Sequence, residues 1–189
     1  ASSKPGQSHP ACWRRASNWR GCGRCLEAVS TEGSAYIPAD SPNAVTVGAV
    51  PWNNPGTIEV FSSQGPTTDG RIKPDFVANG VTLYSTNSTG DADYRSLSGT
   101  SMSTPNCAGS LNLLVRYYES SHGSTPRSST MKAVLMQTAD EAGVAEGPDY
   151  SFGWGLVDTR EAAGLILADS LTQGMIIEDS LADGETDQF

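Results

Sequence analysis

Gly99-Thr100-Ser101-Met102-Ser103-Thr104-Pro105 marks the point where the hydrophobic period of this chain changes. Before it, short β-branched runs alternate with turn residues. After it, Met102, Leu111, Leu114, Val115 and Tyr118 keep to one helical face. The spacing predicts a helix over residues 101–121, stopped by Gly123, where a left-handed C-terminal residue fits. Pro105 falls in the first turn, where its missing amide hydrogen costs nothing. The small residues Ser103, Cys107, Ala108, Gly109 and Ser110 suit close packing in the centre of a domain. Ser101 then has two readings. It opens a capped, buried helix, or its hydroxyl lies beside open first-turn amides and the positive end of the helix dipole, where a serine nucleophile gains most. Spacing alone favours the capped helix and leaves the nucleophile open.

Working upstream, Ala44 to Val50 is a short β-branched run between Pro42 and Pro51 and predicts a buried strand. Further strands are expected at Thr57 to Phe61, Val81 to Ser85 and Tyr94 to Ser98, the last two separated by a polar loop holding Asp91 and Asp93. Working downstream, a second helix should start at Ser129 or Thr130, either of which can cap it, and run to Ala139. A third should occupy Asp158 to Ala168, with Asp158 and Glu161 resembling a capping box and Ala162, Leu165 and Ile166 forming the apolar face. Strands followed by helices imply a layered α/β fold. Asp169 to Phe189 holds six acids and no base, and Met175 to Ile177 followed by Asp183-Gly184 reads as a strand and a turn.

The heptapeptide is nearly the Gly-Thr-Ser-Met-Ala-Thr-Pro signature of the subtilisin-like serine proteases, or subtilases (peptidase family S8), with Ser103 where the signature has alanine. Three further segments resemble that family in the right order. Tyr36-Ile-Pro-Ala-Asp-Ser-Pro-Asn-Ala-Val-Thr-Val-Gly-Ala49 leads to Phe61-Ser-Ser-Gln-Gly-Pro66. Arg71-Ile-Lys-Pro-Asp-Phe-Val-Ala-Asn-Gly80 resembles the family's Lys-Pro-Asp loop, with Ala78-Asn79-Gly80 in place of the usual Ala-Pro-Gly. Gly147-Pro-Asp-Tyr-Ser-Phe-Gly-Trp-Gly-Leu-Val-Asp158 is similar to the glycine-rich turn and helix that close the catalytic domain. The resemblance covers residues 36–168 and implies the C-terminal half of the catalytic domain of a secreted bacterial member, with a three-layer fold around a mostly parallel sheet, here incomplete. Residues 31–168 would form that half and 169–189 the start of a β-sandwich-type domain. Implied with it are a serine endopeptidase with Ser101 as nucleophile, protein or peptide substrates, a monomeric state, and no cofactor, though structural calcium occurs in the family.

The family's other catalytic parts do not match. A subtilase also needs an aspartate and a histidine from segments N-terminal to this half, and neither motif is present. His122 belongs to the far end of the first helix, and is expected to be a solvent-exposed last-turn residue facing the negative end of the dipole. The family's oxyanion asparagine precedes the first strand, and Asn18 is the candidate at that position. Residues 1–30 carry five cations against one acid, three cysteines and two tryptophans, with no apolar period. A shifted reading frame upstream would produce such a segment.

Three rival motifs were weighed. His9, Cys12, Cys22 and Cys25 have a spacing that a structural zinc could use, without the hydrophobic support of a zinc knuckle. Ser129-Thr-Met-Lys132 matches the Ser-x-x-Lys of penicillin-binding proteins, but the companion motifs are absent. Gly99-Thr-Ser-Met-Ser103 lacks the second glycine of a hydrolase elbow. A structural role or an inactive pseudoprotease is the remaining alternative. Cys107 is expected to be a buried small residue, Met102 to lie near the site or fill the core, and Asn87-Ser88-Thr89 matches a glycosylation sequon. Among 189 residues the formal charge of −9 argues against a nucleic-acid surface, and no apolar run is long enough to span a membrane. The first residues do not read as a secretory signal, and both ends of the chain look cut.

Overall fold

The computed structural model describes residues 33–35, 38–144 and 146–179. The chain divides into the units Ala1–Ser30 and Thr31–Phe189, and every element below belongs to the second. Its elements are β1 (Val47–Val50), β2 (Phe76–Asn79), β3 (Leu83–Thr86), β4 (Tyr94–Leu97), α1 (Thr100–His122), α2 (Ser128–Thr138) and α3 (Thr159–Thr172).

β1 and β2 pair in parallel, Val47 opposite Phe76 and Val50 opposite Asn79. Successive side chains of a strand point to opposite faces, and the two faces of this sheet have different partners. Val47, Phe76 and Ala78 pack with Cys107, Leu114 and Tyr118 of α1, Met131, Val134 and Leu135 of α2, and Ala162 and Ile166 of α3. Val50 and Val77 pack on the other side with Ala142 and Phe152 from loops. Phe76, Val77, Val50, Leu135 and Ile166 are fully buried, each worth about 1.5–3 kcal/mol of apolar transfer. The result is a parallel sheet under a layer of helices, the α/β class expected. β3 and β4 form an antiparallel hairpin, Leu83 opposite Leu97, with Tyr84 and Tyr94 stacked at 5.5 Å on its exposed surface.

The glycine-rich turn at 147–155 is shaped by how closely it approaches β2. Asp149 accepts the amides of Ser151 and Phe152 at 2.7 Å, and Trp154 donates its amide to the Asp75 carbonyl at 2.8 Å. At Gly153, with φ of +65°, a Cβ would sit 2.3 Å from the Pro74 carbonyl oxygen, so only glycine fits. Beyond it the Leu156–Val157 stretch lies along β2, with the Val157 amide bonded to the Val77 carbonyl at 3.1 Å.

The helices form as the sequence predicts, within a few residues at their ends. α1 closes on Gly123, whose φ of +71° is left-handed and whose amide bonds the Glu119 carbonyl. Asp158 caps α3 by accepting the amides of Arg160 and Glu161 at 2.8 and 2.9 Å. α2 departs from expectation. Its N-cap is Arg127 and carries no side-chain cap bond; neither Ser129 nor Thr130 caps it. Glu178, from the chain that follows α3, reaches across and accepts the Arg127 amide at 3.0 Å and the Thr130 hydroxyl.

Three strand expectations change. Thr57–Phe61 is a run of turns: Val60 is 90% exposed, and the segment meets β1 through the Glu59 amide on the Ala49 carbonyl and through Ser62. Met175–Ile177 is no strand either; two of its amides are taken by a side chain, described below. Conversely Phe76–Asn79, which the sequence presents as part of a loop, is a strand with its first three residues buried. The Asp183-Gly184 turn lies outside the described residues.

Candidate active site

Ser101 is the second residue of α1 and its side chain is exposed. Gly99 is the N-cap, with no side-chain bond to the first turn, and the amides of Met102 and Ser103 both close on its carbonyl, at 3.0 and 3.3 Å. The amides of Thr100 and Ser101 precede the helix's own ladder, so the positive end of the dipole opens where the Ser101 hydroxyl lies. That is the electrostatic setting in which negative charge on a reacting oxygen is stabilised.

Three contacts hold this helix start to the sheet. The Gly99 amide donates to the Gly80 carbonyl at 2.8 Å. A Cβ on Gly80 would come within 2.7 Å of the Ala49 Cβ and 2.9 Å of the Gly99 carbonyl oxygen, so the lack of a side chain sets how closely α1 approaches β1. Ser103, fully buried, has its hydroxyl oxygen 2.6 Å from the Gly48 carbonyl of β1 and 2.8 Å from the Ala78 carbonyl of β2. The hydroxyl donates into that pair of acceptors two residues after Ser101.

A buried charge cluster fixes the loop that leads into β1. Asp75 Oδ2 accepts Lys73 Nζ at 2.6 Å and the Thr46 amide at 2.7 Å, Oδ1 accepts Lys132 Nζ at 2.7 Å, and Lys73 also donates to the Ala44 carbonyl at 2.8 Å. Lys73 and Asp75 are 2% and 4% exposed. This network answers the Ser129–Lys132 motif: the Lys132 ammonium is committed to Asp75. Sequence reasoning missed the cluster and Gly80, and noted Ser103 without its role. The Lys73-Pro74-Asp75 tripeptide was the available signal for the cluster, and the departure from alanine was the signal for Ser103.

Two cavities flank α1. One of about 240 Å³ is lined by Val50, Asn79, Asn106, Cys107 and Ser110. The other, of about 300 Å³, lies by Val47, Pro74, Thr100 and Thr104. Burial pushes the Cys107 thiol up to about 11, with the Asp75 charge adding to it, so Cys107 is an inert core residue. Ala108, Gly109 and Leu113 are exposed, leaving a long face of α1 open where the small residues predict close packing; Ser103 and Cys107 are the buried ones.

The remaining candidates are not brought to Ser101. His122 is the only histidine among the described residues, and it is half-buried rather than solvent-exposed as expected: its ring stacks on Tyr118 and its Nε2 lies 2.9 Å from Asp169. At 1.5 Å of rise per residue it is about 30 Å along α1 from Ser101. Asn18, His9, Cys12, Cys22 and Cys25 lie outside the described residues. Among the described residues no cluster of three or more histidine, cysteine or acidic side chains could hold a metal ion.

Comparison with known proteins agrees with this geometry. Residues 21–155 match the model of the subtilase family (Peptidase_S8), so the match starts within the segment 1–30. The chain is 37% identical over 146 residues to the C5a peptidase of Streptococcus pyogenes serotype M3, covering 71% of this chain and 12% of that protein. It is 38% identical over 96 residues to the serine protease AprX of Bacillus subtilis, covering 42% of this chain and 22% of that one. It thus spans well under a quarter of the length of these relatives. Among solved structures, the CspB protease of Clostridium perfringens superimposes with a TM-score of 0.66 at 26% identity, over 73% of this chain and 30% of the other. With more than half of its residues matched by the family model, and with the nucleophile signature at the start of a helix on a parallel sheet, the chain belongs to the subtilase family.

Proposed function

We propose that this chain is the C-terminal half of the catalytic domain of a secreted subtilisin-like serine endopeptidase, with Ser101 as its nucleophile. The observation that carries this reading is the exposed Ser101 at the glycine-capped start of α1. In the complete site the serine oxygen attacks a peptide carbonyl and a histidine takes its proton and passes it to the leaving amine. An aspartate orients that histidine, and water hydrolyses the acyl-enzyme. The Thr100 and Ser101 amides face the region where the oxyanion develops. Asn18 is a further candidate donor. Substrates are proteins or peptides, the unit acts as a monomer, and the chemistry needs no cofactor; any calcium would be structural. The chain is expected to lead on into a following domain beyond residue 179 rather than from residue 169, since α3 runs to Thr172 and residues 173–179 stay tied to α1 and α2.

The histidine and aspartate belong to a separate segment. The open face of α1 along Ala108, Gly109 and Leu113 supports a reading in which that segment packs there. With His122 at the far end of α1, residues 31–189 are expected to be catalytically silent alone, since loss of the base costs a subtilase about a millionfold in turnover. Incubation with a fluorophosphonate, followed by peptide mapping, tests this. The chain alone should show no adduct within the time that labels a complete subtilase. The same chain joined to a segment carrying the aspartate and histidine motifs should be labelled at Ser101. Absence of an adduct in the joined protein would leave a pseudoprotease.

A further inference from the structure

Asp169 stands in the last turn of α3, a poor place for an acid because the helix dipole is negative there. It is nevertheless 5% exposed, and every acceptor position the structure shows on it is used. Its backbone carbonyl takes the Gln173 amide at 2.7 Å. Oδ1 takes the amides of Met175 and Ile176, both at 2.8 Å. Oδ2 faces His122 Nε2 at 2.9 Å, while the other ring nitrogen of His122 lies 3.3 Å from the Tyr118 carbonyl. Nine residues beyond Asp169, Glu178 binds the start of α2 through the Arg127 amide and the Thr130 hydroxyl, and its second oxygen is 3.7 Å from Arg127 Nε. Arg127 returns a bond from Nη1 to the Asp179 carbonyl at 2.7 Å. The chain leaving α3 is therefore tied at both ends by carboxylates, with Ile176 as its apolar contact to the core.

We propose that Asp169 and Glu178 form an acid-released latch, which holds residues 173–179 across the ends of α1 and α2 and so fixes the direction in which the polypeptide leaves the catalytic half. The ionised carboxylate accepts several donors at once; protonation turns one of its oxygens into a donor facing donors. The charged and titratable groups around the latch are His122 and Tyr118 on α1, Arg127 at the start of α2, and Glu178 and Asp179 on the segment itself. Asp169 is nearly buried, which works against ionisation, but the Ile176 and Met175 amides and His122 outweigh this and hold its carboxyl below the usual range. The Thr130 hydroxyl and the Arg127 amide lower Glu178 in the same way. With both folded values depressed, the latch is fully formed above the ordinary carboxylate range and is lost as pH falls through the lowered values.

The inference is independent of catalysis and is tested on the whole chain by residue-resolved amide hydrogen exchange, corrected for intrinsic rate, at pH about 7 and about 2, the latter well below the ordinary carboxylate range. The Met175 and Ile176 amides should be protected at neutral pH and lose at least about tenfold of that protection in acid, while amides around Leu114 keep theirs. Asp169→Ala, which removes both acceptor oxygens, should produce the same loss at neutral pH, and Glu178→Ala should release the Arg127 amide without loosening α1. Unprotected Met175 and Ile176 amides in the wild type at neutral pH overturn the proposal, as does protection lost together with that of Leu114 in acid. If Asp169→Ala fails to fold, Glu178→Ala decides: wild-type protection of Arg127 in that variant also overturns it.

Discussion

Ser103 and Gly80 decide where Ser101 stands. A hydroxyl buried without a partner would be a liability; here it reaches two strand carbonyls at 2.6 and 2.8 Å and ties the first turn of α1 to β1 and β2. Replacing it by the alanine of the family signature, Ser103→Ala, should cost about 1 kcal/mol in urea unfolding, because donor and side chain leave together and the space is small. An unchanged midpoint would mean that the hydroxyl contributes nothing. Gly80→Ala is the harsher change, since the added carbon meets the Ala49 Cβ at 2.7 Å and the Gly99 oxygen at 2.9 Å, both on packed elements. It should destabilise the fold by about 1–3 kcal/mol and shift the amide resonances of Thr100 to Ser103. Gly80 was invisible as a site residue in the sequence, because its role comes from an approach between segments 19 and 31 positions away.

At the scale of elements, local chemistry was readable and long-range chemistry was not. The Asp158 cap and the Gly123 stop depend on neighbours within four residues, and α1 and α3 appear close to where their patterns put them. Removing the first, Asp158→Ala, should cost about 1 kcal/mol, read as a lower Tm. The start of α2 is held instead by Glu178, some fifty residues away in sequence, which accepts the amide of the N-cap residue Arg127, and no local pattern announces it. β2 was missed for a related reason: its first three residues carry no alternation, Phe76 and Ala78 being buried on one face and Val77 on the other. Thr57–Phe61 shows the reverse, a β-like composition without a ladder to join. The Asp75 cluster links β2, α2 and the loop before β1 in the same non-local way. Asp75→Ala would leave the Lys73 ammonium buried with one carbonyl partner and should cost about 3–5 kcal/mol in denaturant unfolding. Lys132→Met, at the more exposed end, should cost much less.

For the molecule as a whole, the signature at residues 99–105 together with three further segments in order was enough to indicate the family. The family's aspartate and histidine motifs could not be read in the same way, since neither occurs in the sequence. In the proposed reading Ser101 carries the reacting oxygen, and the contacts of Ser103 and Gly80 with the sheet serve to place it. The direct measurement is peptide-mapped fluorophosphonate labelling, with peptidase turnover, of this chain joined to a segment bearing the aspartate and histidine motifs, beside its Ser101→Ala variant. The account predicts one adduct, on Ser101, and a loss of turnover of about a millionfold in the variant. An adduct on any other residue, or turnover that survives Ser101→Ala, would contradict it.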